Sequence, residues 1–110
     1  MEITFATAKL AKSMNSDSKL SQAHGAELAK QIRKRLDDLD AAASLEDMRS
    51  LPGKCEELSG NRAGELSVHL NKNWRLIFKP NHDPKPTKDD GGLDWTQVTA
   101  VQISEVVDYH

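Results

Sequence analysis

The chain has 110 residues, of which 37% are hydrophobic and 29% charged, with a formal net charge of −2 and one cysteine. This length fits a single domain over residues 1–110, and one cysteine excludes both an internal disulfide framework and a four-cysteine zinc site. No apolar run approaches a membrane span and the first residues lack a signal-peptide pattern, so we expect a cytoplasmic protein with no membrane association.

The first part of the chain predicts a strand followed by two helices. Alternating side chains make Glu2–Ala6 a short strand, and Thr7 can cap a helix from Ala8 to about Met14. The polar run NSDS then breaks that helix. A long helix is expected from Ser21, because apolar residues recur there at intervals of three and four and form one apolar face.

The second half predicts an antiparallel β-meander. A further helical turn ends at Pro52 and Gly53, and the alternation in ELSVHL and WRLIFK predicts two strands joined by an NKN turn. In the first strand the apolar side is formed by Leu66, Val68 and Leu70. In the second strand Trp74, Leu76 and Phe78 share one face, and the opposite face carries Arg75, Ile77 and Lys79.

The last part of the chain predicts a loop and a returning strand. Residues 80–94 are rich in Pro, Gly and Asp, which predicts a flexible loop insertion or a long hairpin loop. Residues 95–110 are rich in Val, Ile and Thr, which predicts the returning strand or strands, with a bulge near Ser104. The order of elements predicts an α+β fold whose helices pack on one side of an antiparallel sheet.

The sequence lacks the motifs of several enzyme classes. It has no phosphate-binding glycine loop and no nucleophile elbow, and its four histidines are not spaced as a helical metal pair. We therefore expect no metal and no cofactor. Residues 54–79 carry five cations against three anions, so a local basic face is expected in spite of the negative net charge.

Three motifs in order, GNRAGELSV, NWRLIF and VDYH, resemble the HigB-like group of the RelE/ParE toxin superfamily, the plasmid-maintenance killer proteins of bacterial toxin–antitoxin pairs. The match covers residues 36–79 and 103–110. It implies a RelE-like fold, with an N-terminal strand and two helices packed on a curved antiparallel sheet. It also implies metal-independent, ribosome-dependent cleavage of mRNA, and neutralisation by a helix-turn-helix antitoxin similar to HigA. Any contact with operator DNA would go through that antitoxin.

By position, the resemblance assigns Arg75 from NWR, and Asp108, Tyr109 and His110 from DYH, to the active site. RNA can be cut without a metal when its own 2′-OH attacks the adjacent phosphate, which requires a base, cations and an acid. Arg75 would supply a planar fork for phosphate oxygens, and His110 an imidazole that titrates near neutrality. Tyr109 can stack on a splayed base, and Asp108 can orient the imidazole or an arginine.

Further cations and one histidine are candidates for RNA binding. Arg62, in the GNR turn, fits phosphate anchoring, and Lys54 and Lys72 lie close to the proposed site in the sequence. His69 lies on the outer side of its strand by alternation. It either lines the RNA site or is an exposed histidine with no role.

Two positions depart from the family pattern. Toxins of this group commonly carry a lysine where this chain has Ser59, and a histidine near the position of Glu56. The missing lysine removes one phosphate-side cation, which Lys54, Lys72 or Arg62 could replace. The acidic loop at residues 80–94 is also longer than the connection usual in the family.

Three functions therefore stay open at this level. The first is a toxin endoribonuclease, and the terminal DYH favours it. The second is a binder of the same fold that inhibits DNA gyrase without cutting RNA, as ParE-type relatives do, and these need no terminal imidazole. The third is an inactive scaffold that only binds its antitoxin, which the departures at Ser59 and Glu56 favour. Arg75 also has a purely structural alternative, in which it covers Trp74 or pairs with an acid.

Overall fold

The computed structural model describes residues 1–108 and shows a five-stranded sheet covered by helices on one side. The strands are β1 (Glu2–Phe5), β2 (Glu56–Glu57), β3 (Leu66–Asn71), β4 (Trp74–Pro80) and β5 (Ala100–Asp108). Their order across the sheet is β1-β5-β4-β3-β2; β1 runs parallel to β5, and the other neighbours are antiparallel. This is the predicted α+β fold, although one parallel pair makes the sheet mostly antiparallel rather than wholly so.

Three α-helices precede β2 within residues 1–108, where the sequence predicted two: α1 (Ala8–Met14), α2 (Asp17–His24) and α3 (Ala26–Ala41). The predicted cap of α1 is confirmed, since the Thr7 hydroxyl accepts a hydrogen bond from the Leu10 amide at 3.0 Å. Ser16 caps α2 in the same way. Gly25 separates α2 from α3 because its φ of 84° is a left-handed conformation that a continuous helix does not contain. The predicted long helix from Ser21 is therefore two helices.

The hydrophobic core lies between the helices and the inner face of the sheet. The apolar side of α3 packs across β3 and β1, with its buried residues at the expected helical spacing. The inner face of the sheet carries the residues that alternation predicted: Leu66, Val68, Leu70, Leu76 and Phe78 are 5% exposed or less. A 3₁₀ helix at Leu45–Ser50 closes one end of this core and ends just before Pro52, as expected.

A β-bulge in β5 falls at the predicted position. Ile77 of β4 pairs with Glu105, but Phe78 pairs with Ile103, so Ser104 is the extra residue. Because of this bulge, Ile103 and Val106 both face the core, whereas Glu105 faces the opposite side of the sheet.

The segment at residues 80–94 has its own hydrogen bonds. The Lys88 amide donates to the Gly92 carbonyl at 2.7 Å, and the Asp94 amide donates to the Pro86 carbonyl at 3.0 Å. At its start, His82 Nε2 accepts from the amides of Thr99 and Ala100 at 3.1 and 3.3 Å. The chain then forms a 3₁₀ turn at Trp95–Gln97, so the returning strand begins at Ala100 and not at Trp95.

Candidate functional site

The face of the sheet that points away from the helices carries two of the predicted site residues, His69 and Arg75. We call it the outer face, and define it by the residues that the strand register aligns there: Glu56, Ser67, His69, Arg75, Ile77, Glu105 and Val107. Side chains at consecutive positions of a strand point to opposite faces, so this set is the counterpart of the buried inner set. Four of its members are polar or charged residues of three adjacent strands, β2, β3 and β4.

Arg75 lies in the middle of this face, opposite His69 on one side and Val107 on the other. Its Nη1 donates to the carbonyl of Lys72 at 2.9 Å and to the carbonyl of Trp74 at 3.3 Å. Within residues 1–108 no carboxylate forms an ion pair with Arg75. The two carbonyls fix the guanidinium while its charge is not neutralised by an acid, which suits a phosphate-binding group.

His69 lies beside Arg75 with an unusual environment for its imidazole. Its Nε2 is buried and has no hydrogen-bond partner among the described residues, and Glu56 Oε1 lies 3.9 Å from it, beyond hydrogen-bond distance. Burial lowers the pKa of His69, and the positive charges of Arg75 and Lys54 lower it further, against the opposing effect of Glu56. His69 is therefore neutral at pH 7, although 30% of its side chain is exposed.

Two of the predicted RNA-binding cations border this centre, and both have strained backbones. Lys54 precedes β2 with a φ of 47°, and Lys72 lies in the turn between β3 and β4 with a φ of 41°. The left-handed conformation costs a residue with a side chain on the order of 1–2 kcal/mol. Both side chains are exposed, and together with Arg75 they make this end of the outer face positively charged.

Arg62 forms ion pairs with two acids. Its Nη1 lies 3.1 Å from Glu65 Oε1 and 3.4 Å from Glu105 Oε2. Glu105 is the cross-strand neighbour of Ile77, and Ile77 is fully buried although alternation placed it on the outer face. The predicted face of Ile77 is confirmed, and its side chain is buried there. Phosphate anchoring by Arg62 would require exchange of these carboxylates.

The C-terminal candidates are described only in part. Asp108 is paired with Trp74, one position along β4 from Arg75, and is exposed. Val107, not Asp108, is the residue directly opposite Arg75. Tyr109 and His110 lie outside the described residues, so their assignment stays a prediction.

Sequence reasoning missed that Glu56 belongs to this face, whereas alternation did place Ser67 there. Glu56 was noted only as a departure, whereas the short β2 pairs it with Ser67 and brings it to His69. Ser67 is fully buried, and its Oγ has no hydrogen-bond partner among the described residues. The alternation in ELSVHL is the one available signal, because it places Ser67 and His69 on the same face.

The described part of the chain gives little support to a cysteine nucleophile or to a metal site. Burial raises the pKa of the Cys55 thiol to about 12, so this cysteine is not a thiolate nucleophile. No group of three His, Cys, Asp or Glu side chains within residues 1–108 is arranged to hold a metal ion. In the same residues, no helix has the length and apolar character needed to cross a membrane.

Comparison with known proteins identifies similar sequences. Residues 4–85 match the family model described as HigB-like toxin, a RelE-like toxin of type II toxin–antitoxin systems. A segment of 47 residues is 45% identical to Toxin HigB-1 of Vibrio cholerae and covers 42% of this chain and 50% of that protein. The chain thus spans about half the length of this curated relative.

Solved structures share the fold across the whole chain. A YoeB/ParE toxin from Agrobacterium tumefaciens has a TM-score of 0.61 at 12% identity, with 100% of both chains covered. A YoeB–YefM complex and a YoeB dimer, both from Staphylococcus aureus, have TM-scores of 0.56 and 0.54 at 21% and 23% identity. Each covers 100% of this chain and 97% of the other. At these identities the likeness establishes the fold, and it agrees with the RelE-like architecture expected from the motifs.

Proposed function

The chain belongs to the HigB-like toxins, RelE-like toxins of type II toxin–antitoxin systems, and we propose from this premise that it is an mRNA endoribonuclease that acts on the ribosome and inhibits translation. One observation carries the proposal. Arg75 has no acidic partner within residues 1–108 and lies beside the neutral imidazole of His69, on a face bordered by Lys54 and Lys72.

This arrangement suits cleavage by the RNA's own 2′-hydroxyl. The developing charge on the phosphorane needs a fixed cation, which the carbonyl-anchored Arg75 guanidinium would supply. Lys54 and Lys72 would attract the phosphates on either side. His69 would line the RNA site next to Arg75. The chemistry uses proton transfer and charge stabilisation and assigns no step to a metal or cofactor.

The terminal residues complete the proposed site. β5 ends at Asp108, paired with Trp74 next to Arg75. We assign protonation of the leaving 5′-oxygen to His110 and stacking on a base to Tyr109. Asp108 would orient one of the charged groups. Arg62 takes part only if a phosphate replaces Glu65 and Glu105 as its partner.

An antitoxin is the proposed protein partner. Solved structures with this fold include a YoeB–YefM toxin–antitoxin complex from Staphylococcus aureus. For this chain we propose a helix-turn-helix antitoxin similar to HigA, through which any contact with operator DNA would occur. The proposed place of action is the cytoplasm, where the ribosomes are.

A second candidate function is a scaffold that binds its antitoxin but does not cut RNA. Two observations favour it. Glu65 and Glu105 neutralise Arg62, and Glu56 places a negative charge beside His69 on a face that would bind phosphates. In addition, Ser59, which replaces a usual lysine, stands before the 3₁₀ turn at Gly60–Arg62 without a capping hydrogen bond from its side chain, and it adds no charge.

Induced expression in bacterial cells tests the proposal. The wild type should arrest growth, and primer extension should show new mRNA ends within translated regions. His110→Ala and a chain without Tyr109 and His110 should restore growth and intact transcripts, whereas His24→Ala, at the half-buried end of α2 and outside the proposed site, should behave like the wild type. Unchanged growth and mRNA with the wild type would favour the scaffold. Growth arrest with intact mRNA and a DNA-damage response would favour a gyrase inhibitor.

A further inference from the structure

The outer face contains a carboxylate–imidazole pair, Glu56 and His69, 3.9 Å apart. We propose that His69, with the Glu56 carboxylate beside it, is the general base that removes the proton from the RNA 2′-hydroxyl while Arg75 holds the adjacent phosphate. The proposal rests on the endoribonuclease function above and names a further catalytic residue for it. Three adjacent strands carry it: Glu56 on β2, His69 on β3 and Arg75 on β4.

The backbone brings His69 close to Arg75. The His69 amide donates to the Gly53 carbonyl at 2.6 Å, and its carbonyl accepts from Arg35 Nε at 3.1 Å. Both backbone groups therefore point away from β4, which makes His69 and Arg75 a non-hydrogen-bonded pair. In such pairs the Cα atoms are about 4.5 Å apart and the side chains are at their closest. A phosphate on Arg75 would thus place its neighbouring ribose at the imidazole.

The same backbone contacts make the position rigid. Gly53 has a φ of 106°, and a Cβ at this residue would lie 2.9 Å from Arg35 Nε. Glycine is therefore required for the close approach that anchors His69. Arg35 is itself fixed by an ion pair of 2.9 Å with Asp38. A base must be held within hydrogen-bond reach of its proton, and this double anchor meets that condition.

The position of Glu56 indicates which nitrogen of the imidazole carries the hydrogen. Nε2 is buried, lacks a hydrogen-bond partner within residues 1–108, and faces Glu56 Oε1 at 3.9 Å. A carboxylate at this position favours the tautomer that carries its hydrogen on Nε2. The lone pair is then on Nδ1, since the hydrogen bond from Arg35 goes to the backbone carbonyl of His69 and not to the ring. Nδ1 is accordingly the nitrogen that can accept a proton from a substrate.

The charges around His69 suit a base that gains strength as the substrate binds. Burial, Arg75 and Lys54 lower its pKa, so the ring is neutral before RNA arrives, while Glu56 acts in the opposite direction. A phosphate on Arg75 would offset the positive charge of the guanidinium. The imidazolium that forms after proton transfer would then be stabilised by Glu56 without the full repulsion of Arg75.

The step balances without a further reactant. The 2′-oxygen forms a bond to phosphorus, its proton goes to Nδ1 of His69, and the bond from phosphorus to the 5′-oxygen breaks. The products are a 2′,3′-cyclic phosphate and a 5′-hydroxyl end. The proton that the leaving oxygen takes up comes from a second acid, which the proposed function assigns to His110, and the proton on His69 returns to solvent.

The test is single-turnover cleavage of ribosome-bound mRNA between about pH 5.5 and about pH 8.5, the range in which a histidine titrates. His69→Gln should lower the rate by at least about 10²-fold and remove the acidic limb of the profile. Glu56→Gln should move that limb to lower pH, because the carboxylate stabilises the imidazolium. His24→Gln is the matched control and should keep the wild-type profile.

A second readout needs neither cleavage nor a change at His69. Nitrogen NMR of the imidazole should show the His69 titration at lower pH in Glu56→Gln than in the wild type, and circular dichroism should show that every variant is folded. Wild-type rates in His69→Gln would overturn the proposal and leave the endoribonuclease function intact. So would loss of cleavage in Glu56→Gln alone, which would make the carboxylate the base. If the wild type cuts no RNA, the proposed function fails, and this role fails with it.

Discussion

The inner and outer faces of the sheet differ in the burial, charge and hydrogen bonding of their side chains. On the inner face Leu66, Val68, Leu76 and Phe78 are 1% exposed or less and pack against the helices. The outer face holds charged side chains, among them Arg75, which has no acidic partner within residues 1–108. It also holds two buried polar atoms, Ser67 Oγ and His69 Nε2, that lack hydrogen-bond partners in the same residues.

This contrast indicates that the inner face determines the stability of the domain and that the outer face carries its activity. The inner face loses water on folding and leaves few polar groups unsatisfied, which is how burial stabilises a domain. The outer face keeps unpaired polar atoms that cost free energy, a pattern expected where a ligand will later supply the partner. Substitutions on the inner face should therefore change the free energy of unfolding, and those on the outer face should change activity.

The largest expected effect is on the inner face. Phe78→Ala should lower the free energy of unfolding by about 3–5 kcal/mol, because it removes a fully buried ring from the core. Chemical denaturation measures it, with Lys79→Ala, the exposed next residue of β4, as the matched control at within about 0.5 kcal/mol. Equal losses in the two variants would erase the distinction between the faces.

The next effect is on the outer face. Arg75→Ala should lower the rate of mRNA cleavage by about 10²–10³-fold, the usual cost of losing one group that stabilises the transition-state charge. Its free energy of unfolding should change by no more than about 1 kcal/mol, since only two hydrogen bonds to the backbone carbonyls of Lys72 and Trp74 are lost. Lys79→Ala removes the same charge from the same strand and should cleave normally. An equal loss of rate in Lys79→Ala would show that only overall charge matters.

A smaller effect with the opposite sign is expected at Ser67. Its hydroxyl is fully buried without a partner among the described residues, so Ser67→Ala should raise the free energy of unfolding by about 1 kcal/mol. Denaturation by urea measures this change. A clear loss of stability would mean that the hydroxyl is satisfied in solution, and the outer face would then resemble the inner one.

The smallest expected effect is on how the melting temperature changes with pH. The pKa of His69 is lowered in the folded chain, so below its ordinary value of about 6.5 the unfolded chain binds more protons and stability falls with falling pH. The melting temperature should therefore drop less in His69→Gln than in the wild type between about pH 7 and about pH 5.5. The pKa of His24 is also lowered by burial, and this contribution stays in both proteins. Identical drops would contradict the lowered pKa of His69.

Sequence patterns predicted which residues lie on the inner face and that they are buried. For the outer face they predicted the residues but not their contacts. Alternation found the β3–β4 hairpin, and the run after Gln102 indicated the bulge at Ser104. These features depend on neighbours along the chain. The break at Gly25 was missed because the apolar spacing that indicated the helix begins only at Leu28 and gives no start for it, whereas the positive φ of Gly25 separates α2 from α3.

The contacts of the site residues could not be predicted because they join distant parts of the chain. The two-residue strand β2 brings Glu56 to His69, and nothing in its length or composition indicates a strand. Arg62 finds Glu105 across 43 residues. Arg75 was identified from the family motif, but its lack of an acidic partner within residues 1–108 is a property of the folded sheet alone.

The chemical nature of the cleaved ends tests the central claim most directly. Labelled mRNA on purified ribosomes would be treated with the wild type, and the new 3′ end of the upstream fragment identified by mass spectrometry. Attack by the 2′-hydroxyl on the outer face predicts a 2′,3′-cyclic phosphate, formed only when ribosomes are present and lost in Arg75→Ala. A free 3′-hydroxyl, or no cleavage at all, would contradict the account.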